Sequence, residues 1–199
     1  MKRTFSLLFL FVFILLSIPV TGQKQPPSDK ARGIFFAIGL GPRLPVGDFG
    51  KVSFLGYGYN MELSYTDNEY LPLFLFGKIG FEQYSASQDY YQASEYSHFS
   101  TNMLPLTIGV RHFFSPFMER VVIFMPVLEV SSTLLIYQNY HRFRTNRPGY
   151  IEEGTKLGFS AGLGASMFLL DIMTNYHYFP NNQFISFDLK IRIPLVATI

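Results

Sequence analysis

The residues from 184 to 194 alternate between apolar and polar side chains without a break. The apolar positions are Ile185, Phe187, Leu189, Ile191 and Ile193, and the polar ones are Ser186, Asp188, Lys190 and Arg192. A β-strand points successive side chains to opposite faces, so one face of this segment is wholly apolar and the other carries its charges. A soluble sheet would turn the charged face to water, whereas a membrane-spanning barrel turns the apolar face to lipid and the charged face inward.

The start of the chain has the layout of an export signal. Lys2 and Arg3 precede an apolar run over residues 5–20, and small residues at 20–22 offer a cleavage point. We therefore expect a signal peptide over residues 1–22 and a flexible periplasmic leader over residues 23–32. The apolar run is shorter than the roughly 20 residues of a membrane span, although an uncleaved anchor is an alternative. The chain has no cysteine, which excludes both disulfides and a lipoprotein signal.

The composition narrows the class of protein. Hydrophobic residues make up 48% of the chain and charged residues only 15%, and a soluble domain typically has about 25% charged residues. After the signal no apolar run is long enough for a membrane helix, so a helical bundle is excluded. A membrane barrel combines high apolar content with short runs, because only alternate residues face lipid. The net charge of +2 gives no reason to expect nucleic acid as a partner.

The alternating pattern recurs along the chain. Predicted strands cover residues 33–41, 54–65, 73–84, 99–113, 120–136, 156–167, 171–179 and 184–194. Long connections over residues 42–52, 85–98 and 137–155 follow the first, third and fifth strands, and a short turn over 115–119 follows the fourth. Long loops at one end and short turns at the other are typical of an outer-membrane barrel. The sequence thus predicts an all-β fold, an eight-stranded antiparallel up-and-down transmembrane β-barrel over residues 33–199; a soluble, lipocalin-like periplasmic carrier is the alternative.

Three segments carry a resemblance to a known family. They are residues 39–49, with Gly-Leu-Gly-Pro followed by Gly-Asp-Phe, residues 103–111, and the closing strand. In these segments the chain resembles the small outer-membrane β-barrel proteins of Bacteroidetes-type bacteria and, more distantly, the eight-stranded OmpA/OmpX-like barrels. The resemblance implies location in a Gram-negative outer membrane, contact with outer-membrane lipid and lipopolysaccharide, insertion by the barrel-assembly machinery and a monomeric state. It implies no reaction.

Charged residues occupy the faces opposite the apolar ones. If the apolar faces meet lipid, nine charged side chains point inward: Glu62, Lys78, Glu82, Arg111, Glu129, Asp171, Asp188, Lys190 and Arg192. Buried charges are tolerated only when they are paired, so this mixed set predicts a network of ion pairs that fills the interior. An eight-stranded barrel has little other room, and we expect no diffusion pore. Inward-facing glycines, such as Gly158, would relieve crowding.

Few residues suggest a catalytic site or a metal site. His98 and Ser100 lie two residues apart near the predicted outer rim, where a lipid A deacylase would act, but no motif supplies the third group of a catalytic triad. We therefore expect no enzyme, with a lipid-modifying enzyme as the alternative. The four histidines are scattered without metal-ligand spacing, so we expect no metal and no cofactor.

A basic stretch lies in the second half of the chain. Arg142, Arg144 and Arg147 fall in the predicted loop over residues 137–155, and guanidinium groups match phosphate geometry. This loop is a possible contact site for lipopolysaccharide phosphates or another anion; a solvated loop neutralised by Glu152 and Glu153 is the alternative. Tyr84, Tyr90, Tyr91 and Tyr96 suggest an interfacial girdle or a contact surface. The expected function is that of an integral outer-membrane protein with a plugged, charge-paired interior, whose loops serve structural, adhesive or ligand-contact roles.

Overall fold

Eight antiparallel strands hydrogen-bond in chain order, and the last pairs with the first to close a barrel. The computed structural model describes residues 32–67, 71–115, 124–145, 147–167 and 169–198. The strands are β1 (Arg32–Pro45), β2 (Gly56–Asp67), β3 (Leu71–Ser85), β4 (Tyr96–Phe113), β5 (Phe124–Phe143), β6 (Tyr150–Met167), β7 (Leu170–Tyr178) and β8 (Phe184–Thr198). Two short helices, α1 (Gly47–Val52) and α2 (Gln88–Ala93), lie in the connections after β1 and β3. The predicted eight-stranded fold is confirmed.

The two faces of each strand have opposite character. In β2, Tyr59 and Met61 are exposed on the outer wall, whereas Asn60 and Glu62 are buried inside the ring. This is the reverse of a soluble protein, in which charged residues are almost never fully buried unless they are paired. The period of two in the sequence therefore sets which side chains line the interior.

The barrel has two distinct ends. Arg32 of β1 pairs with Thr198 of β8 at the end that holds both termini, which we call the terminal end. The connections after β1, β3, β5 and β7 lie at the opposite end, the loop end. Among the described residues, no helix is long and apolar enough to cross a membrane.

The strands at the loop end are longer than predicted. The predicted loop over residues 137–155 is wrong, because β5 continues to Phe143 and β6 already begins at Tyr150. Polar side chains pair across these two strands: Gln138 Nε2 lies 2.8 Å from Glu153 Oε1, and Asn139 Nδ2 lies 3.4 Å from Glu152 Oε2. A hairpin with polar residues on both faces does not show the apolar alternation on which the prediction rested.

Other predicted boundaries also shift. The predicted loop over residues 42–52 begins too early, because β1 continues to Pro45. The leader predicted over residues 23–32 is one residue too long, since Arg32 belongs to β1, and β8 continues past Pro194 to Thr198. A bulge in the pairing of β1 with β8 accommodates that extension. The signal peptide, the remainder of the leader and all of the predicted turn over 115–119 except Ser115 lie outside the described residues.

Candidate functional site

A cluster of charged side chains occupies the middle of the barrel. Arg111 of β4 donates to both carboxylate oxygens of Glu62 on β2, at 2.7 and 2.8 Å, and to Oε2 of Glu129 on β5, at 2.6 and 3.0 Å. Lys190 of β8 lies 2.9 Å from Glu62, and Lys78 of β3 lies 3.5 Å from Glu129. Forked guanidinium–carboxylate bonds are among the strongest polar contacts in proteins. Five strands are thus joined through this central cluster.

A second cluster lies nearer the loop end. Arg43 of β1 donates to Glu82 at 2.9 Å and to Asp188 at 2.8 Å. Asn60 also donates to Asp188, and the Tyr84 hydroxyl donates to the other oxygen of Glu82, each at 2.9 Å. Both carboxylates are therefore held by more than one donor, as buried charges require.

A third group of charged side chains, a single ion pair, lies towards the terminal end. Arg192 of β8 contacts Asp171 of β7, and both side chains are buried. The Arg192 guanidinium lies 4.6 Å from the ring centre of Phe113 and 5.9 Å from that of Phe74. Charged and aromatic groups therefore lie together at this end of the interior.

The structure brings together the nine charged residues that the sequence placed inside. All are buried except Lys78, whose side chain is still only 7% exposed. Sequence reasoning missed Arg43, because Pro42 and Pro45 suggested a loop. The signal was available: the inward positions of β1, Ala37 and Gly39, continue in steps of two to Arg43. With Arg43 included, the described residues of the interior supply five carboxylates and five cationic groups.

An apolar layer covers the charged clusters at the loop end. We call it the loop-end cap; it consists of Phe49, Tyr84, Met103, Leu135, Phe179 and Phe184. Helix α1 supplies Phe49, whose ring centre lies 4.9 Å from that of Tyr84. A Cβ atom on Gly158 would lie 2.3 Å from the Phe179 ring, so this inward glycine leaves the space that the ring fills. The sequence did not predict the cap.

Little space is left between the charged clusters and the cap. A polar cavity of about 10 Å³ lies among side chains that include Arg43, Asn60, Lys78 and His177. That volume suits about one water molecule. Much larger recesses, of about 700 Å³ around Gly77 and about 810 Å³ around Leu163, are lined mainly by outward apolar residues and belong to the outer wall.

The three arginines of the predicted anion-contact loop do not converge. Arg142 is exposed on β5, and Arg144 donates to the backbone carbonyls of Tyr91 and Tyr96, the latter at 3.1 Å. Arg147 lies 3.6 Å from Glu95 rather than beside the glutamates that the sequence suggested. Two of the three guanidinium groups therefore already have protein partners.

Aromatic rings pack around His141 at the loop end. Its ring stacks on Tyr150 with centres 4.3 Å apart, and those of Phe99 and Tyr96 lie at 4.9 and 5.0 Å. The Tyr96 and Tyr150 hydroxyls lie 3.3 Å apart, and this hydrogen bond raises the pKa of Tyr150 to about 12. Neither His141 ring nitrogen has a hydrogen-bond partner among the described residues.

The four tyrosines that were predicted to form an interfacial girdle do not form one. Tyr84 is buried in the loop-end cap, Tyr90 stacks on Tyr96, and the Tyr91 hydroxyl donates to the Phe99 carbonyl. These residues pack inside the loop end and form no belt. Exposed tyrosines of the outer wall are instead Tyr57, Tyr59, Tyr140, Tyr176 and Tyr178.

Comparison with known proteins finds likeness in structure. No family model and no curated protein matches the chain. Neisserial surface protein A (NspA) matches with a TM-score of 0.52 and 12% identity, over 82% of this chain and 97% of that one. The fold is that of a small outer-membrane β-barrel. The attachment invasion locus protein Ail of Yersinia pestis matches with 14% identity and a TM-score of 0.42, over 83% of this chain and 100% of that one.

The two residues considered for catalysis differ in burial. His98 and Ser100 lie on the same face of β4, because they pair with Arg142 and Tyr140 of β5, but His98 is exposed whereas Ser100 is buried. A nucleophilic serine needs a base within hydrogen-bond reach. In the part of the chain that the structure describes, no three side chains that bind metals cluster together.

Proposed function

We propose that this chain is an integral, non-enzymatic protein of a bacterial outer membrane, exported by its N-terminal signal peptide. Its interior is plugged, and its loop end makes structural, adhesive or ligand contacts outside the cell. The observation that carries the proposal is that, in the part of the chain that the structure describes, an apolar wall encloses a balanced set of five carboxylates and five cations.

The outer wall supports membrane insertion. Apolar side chains on every strand point outward, and Ile108 and Leu163 are 71% and 67% exposed. Soluble monomers rarely expose a contiguous apolar patch of more than a few hundred Å². Lipid is the solvent that suits such a wall, and the tyrosines near its rim suit the polar boundary of a bilayer.

The interior supports a plugged barrel. The cavity between the charged clusters holds about one water molecule. The loop-end cap lies above it, and the Arg192–Asp171 pair with its aromatic neighbours lies below. An ion would have to displace both apolar and paired charged groups, so we expect no steady conductance.

The partners follow from this location. We infer contact of the wall with outer-membrane lipid and lipopolysaccharide, insertion by the barrel-assembly machinery, and a monomeric barrel. Membership of the Bacteroidetes-type family is part of the same proposal and rests on the three segments that carry the resemblance.

Fractionation of cells tests the location. We expect the protein in the outer-membrane fraction, with different gel mobilities in unheated and boiled samples, because a closed barrel resists detergent until it is heated. A soluble protein without that shift would contradict the proposal. In planar bilayers, purified protein should give no conductance above background, and a stable open channel would contradict the plugged interior.

A further inference from the structure

Gly77 of β3 leaves a recess in the outer wall of the barrel. Its partners across the sheet are Leu63 of β2 and Ile108 of β4. The recess has a volume of about 700 Å³, and outward apolar side chains form most of its lining. We call it the Gly77 groove, and its lining includes Phe36, Leu63, Ile79, Leu106, Ile108 and Leu157.

The fold itself does not require a glycine at position 77. Of the glycines that the structure describes, Gly77 alone would place an added Cβ atom with no other atom within 4 Å. The inward Gly158, in contrast, makes room for the Phe179 ring. A glycine inside a strand often marks a bulge or the close approach of a ligand. Because the register with both neighbouring strands is regular at Gly77, we assign it the second role.

A ridge and a second notch continue the groove beyond Gly77. Ile108 is 71% exposed, more than any other large apolar side chain among the described residues, and it lies between Gly77 and Ser132 of β5. The Ser132 hydroxyl donates to the Gly158 carbonyl at 3.5 Å, so its hydrogen is directed to the backbone. The groove therefore offers an almost wholly apolar surface.

The groove begins in the part of the wall nearest the terminal end. Phe36 and Leu63 lie about four residues from the terminal ends of β1 and β2, which is about 13 Å along each strand. That distance is less than half of the roughly 30 Å that a bilayer's hydrocarbon core measures. When the loop end faces outward, this part of the groove lies in the periplasmic leaflet, which consists of phospholipid.

A cationic side chain lies at the terminal rim of the same part of the wall. The Arg32 side chain is 67% exposed, and its guanidinium lies 5.7 Å from the ring centre of Tyr65, which shares a face of β2 with Leu63. Arg32 Nε lies 3.6 Å from Asp67. A guanidinium has five N–H donors, so others can bind a phosphate. Tyrosine and arginine are common anchors at the polar boundary of a bilayer.

The curvature of the groove favours a flexible chain over a second barrel. Its lining extends from Phe36 of β1 to Leu157 of β6, so the groove bends round the wall. Two convex walls touch over only a few strands, whereas an acyl chain can follow the bend. The phosphate of a phospholipid at Arg32 and its acyl chain in the groove can belong to one molecule.

We propose that the Gly77 groove binds an acyl chain of one glycerophospholipid of the periplasmic leaflet, whose phosphate contacts Arg32. This lipid is held at a defined place and exchanges more slowly than the bilayer around it. The proposal rests on the proposed function, because it requires a wall that lies in the membrane with the terminal end towards the periplasm.

Titration of the delipidated protein in detergent tests the proposal. The probe is phosphatidylglycerol; native mass spectrometry counts the bound lipid and methyl NMR locates it. We expect one lipid per barrel, with saturable shifts of the Ile79 and Leu106 methyl signals and much smaller shifts of Leu163, which lines the other large recess. Shifts of equal size at all three residues would overturn the proposal, as would a dimer that forms without lipid, because a second copy would then fill the groove.

Leucine in each of the two large recesses gives a matched pair of variants. Gly77→Leu fills the Gly77 groove, and Ala161→Leu narrows the recess around Leu163. We expect Gly77→Leu to weaken binding of phosphatidylglycerol about tenfold and Ala161→Leu to leave it unchanged. An equal loss in both variants, or no loss in Gly77→Leu, would contradict the assigned site.

Arg32→Gln tests the headgroup contact, and lipid A tests the leaflet. We expect Arg32→Gln to weaken binding of phosphatidylglycerol about fivefold, because it removes a partly solvated charge, and lipid A not to displace the bound phospholipid. Unchanged binding in Arg32→Gln or displacement by lipid A would overturn the proposal.

The heat-dependent gel shift keeps failure of this proposal distinct from failure of the proposed function. A variant that keeps the shift is folded, so its loss of lipid reports on the groove. A wild-type protein that resides in the outer membrane but binds no phospholipid overturns the lipid site alone. A wild-type protein that is soluble overturns both.

Discussion

Arg111 and Glu62 form a two-pronged ion pair across the barrel interior, with N–O distances of 2.7 and 2.8 Å. They lie on β4 and β2, which are not neighbours in the ring, since β3 lies between them. Backbone ladders join only adjacent strands. This pair therefore adds a connection that the sheet itself does not provide, and Glu129 extends it to β5.

Replacement of Arg111 by methionine should destabilise the barrel strongly. The change leaves Glu62 and Glu129 buried beside each other without their shared donor, and breaking a buried ion pair costs about 3–5 kcal/mol. Urea unfolding in detergent measures the loss. The matched variant Arg111→Met with Glu62→Gln should recover part of it, because it removes one cation and one carboxylate together and leaves Glu129 beside Lys78 and Lys190. A loss below about 1 kcal/mol in the single variant would contradict this account.

Valine should destabilise the barrel at one glycine and not at another. In Gly158→Val the new Cβ would meet the Phe179 ring at 2.3 Å and the Tyr178 carbonyl at 2.4 Å, so we expect a loss of about 1–3 kcal/mol. The control Gly77→Val points outward, where a Cβ meets nothing within 4 Å, and should be neutral or stabilising. The midpoint of thermal unfolding in detergent compares them. Equal effects would contradict the assigned facing directions.

Helix α1 should stabilise the loop end without acting as a gate. Phe49→Ala removes a buried ring from the loop-end cap and should cost about 3 kcal/mol, while the control Phe54→Ala removes an exposed ring and should cost little. Because the charged clusters lie beneath the cap, Phe49→Ala should still show no steady conductance in a planar bilayer. A channel opened by this single change would show that the cap alone closes the barrel.

His141 should stabilise the loop end by stacking on its aromatic neighbours and not by hydrogen bonding. Its ring lies among Tyr96, Phe99 and Tyr150, and its nitrogens have no hydrogen-bond partner among the described residues. His141→Phe should therefore keep the loop end intact. His141→Ala should cost about 1 kcal/mol and speed tryptic cleavage at the nearby arginines about fivefold. Faster cleavage in the phenylalanine variant would indicate that the imidazole makes a polar contact after all.

The features that could be predicted from the sequence are those that depend on the alternation of side chains between the two faces of a strand. Alternation alone placed Glu62, Arg111 and Lys190 on the inner face, because each lies within a strand whose other face is apolar. The inward position of Arg43 was not predicted, because Pro42 and Pro45 suggested a loop. Both prolines nevertheless lie within β1, near its end. Proline is tolerated in a strand where no ladder bond needs its missing N–H.

The remainder depends on contacts between residues far apart in the chain. The loop-end cap joins Phe49 to Tyr84 and Phe184, and no local pattern marks these rings as neighbours. The loop-end part of β5 and β6 has polar residues on both faces, so the pattern that marks a membrane strand is lost there. Both the loop-end cap and the loop-end part of β5 and β6 depend on the register between strands around the closed ring, because the register determines which residues become neighbours.

Methyl relaxation in nanodiscs tests the central claim, that the apolar faces meet lipid and the charged faces fill the interior. The nanodiscs carry a paramagnetic label on their acyl chains. We predict strong broadening of the methyl signals of Leu189 and Ile191, which face outward, and much weaker broadening of Leu135, which is fully buried inside. Stronger broadening of Leu135 than of Leu189, or broadening of Leu189 by a water-soluble paramagnetic reagent instead, would contradict the account.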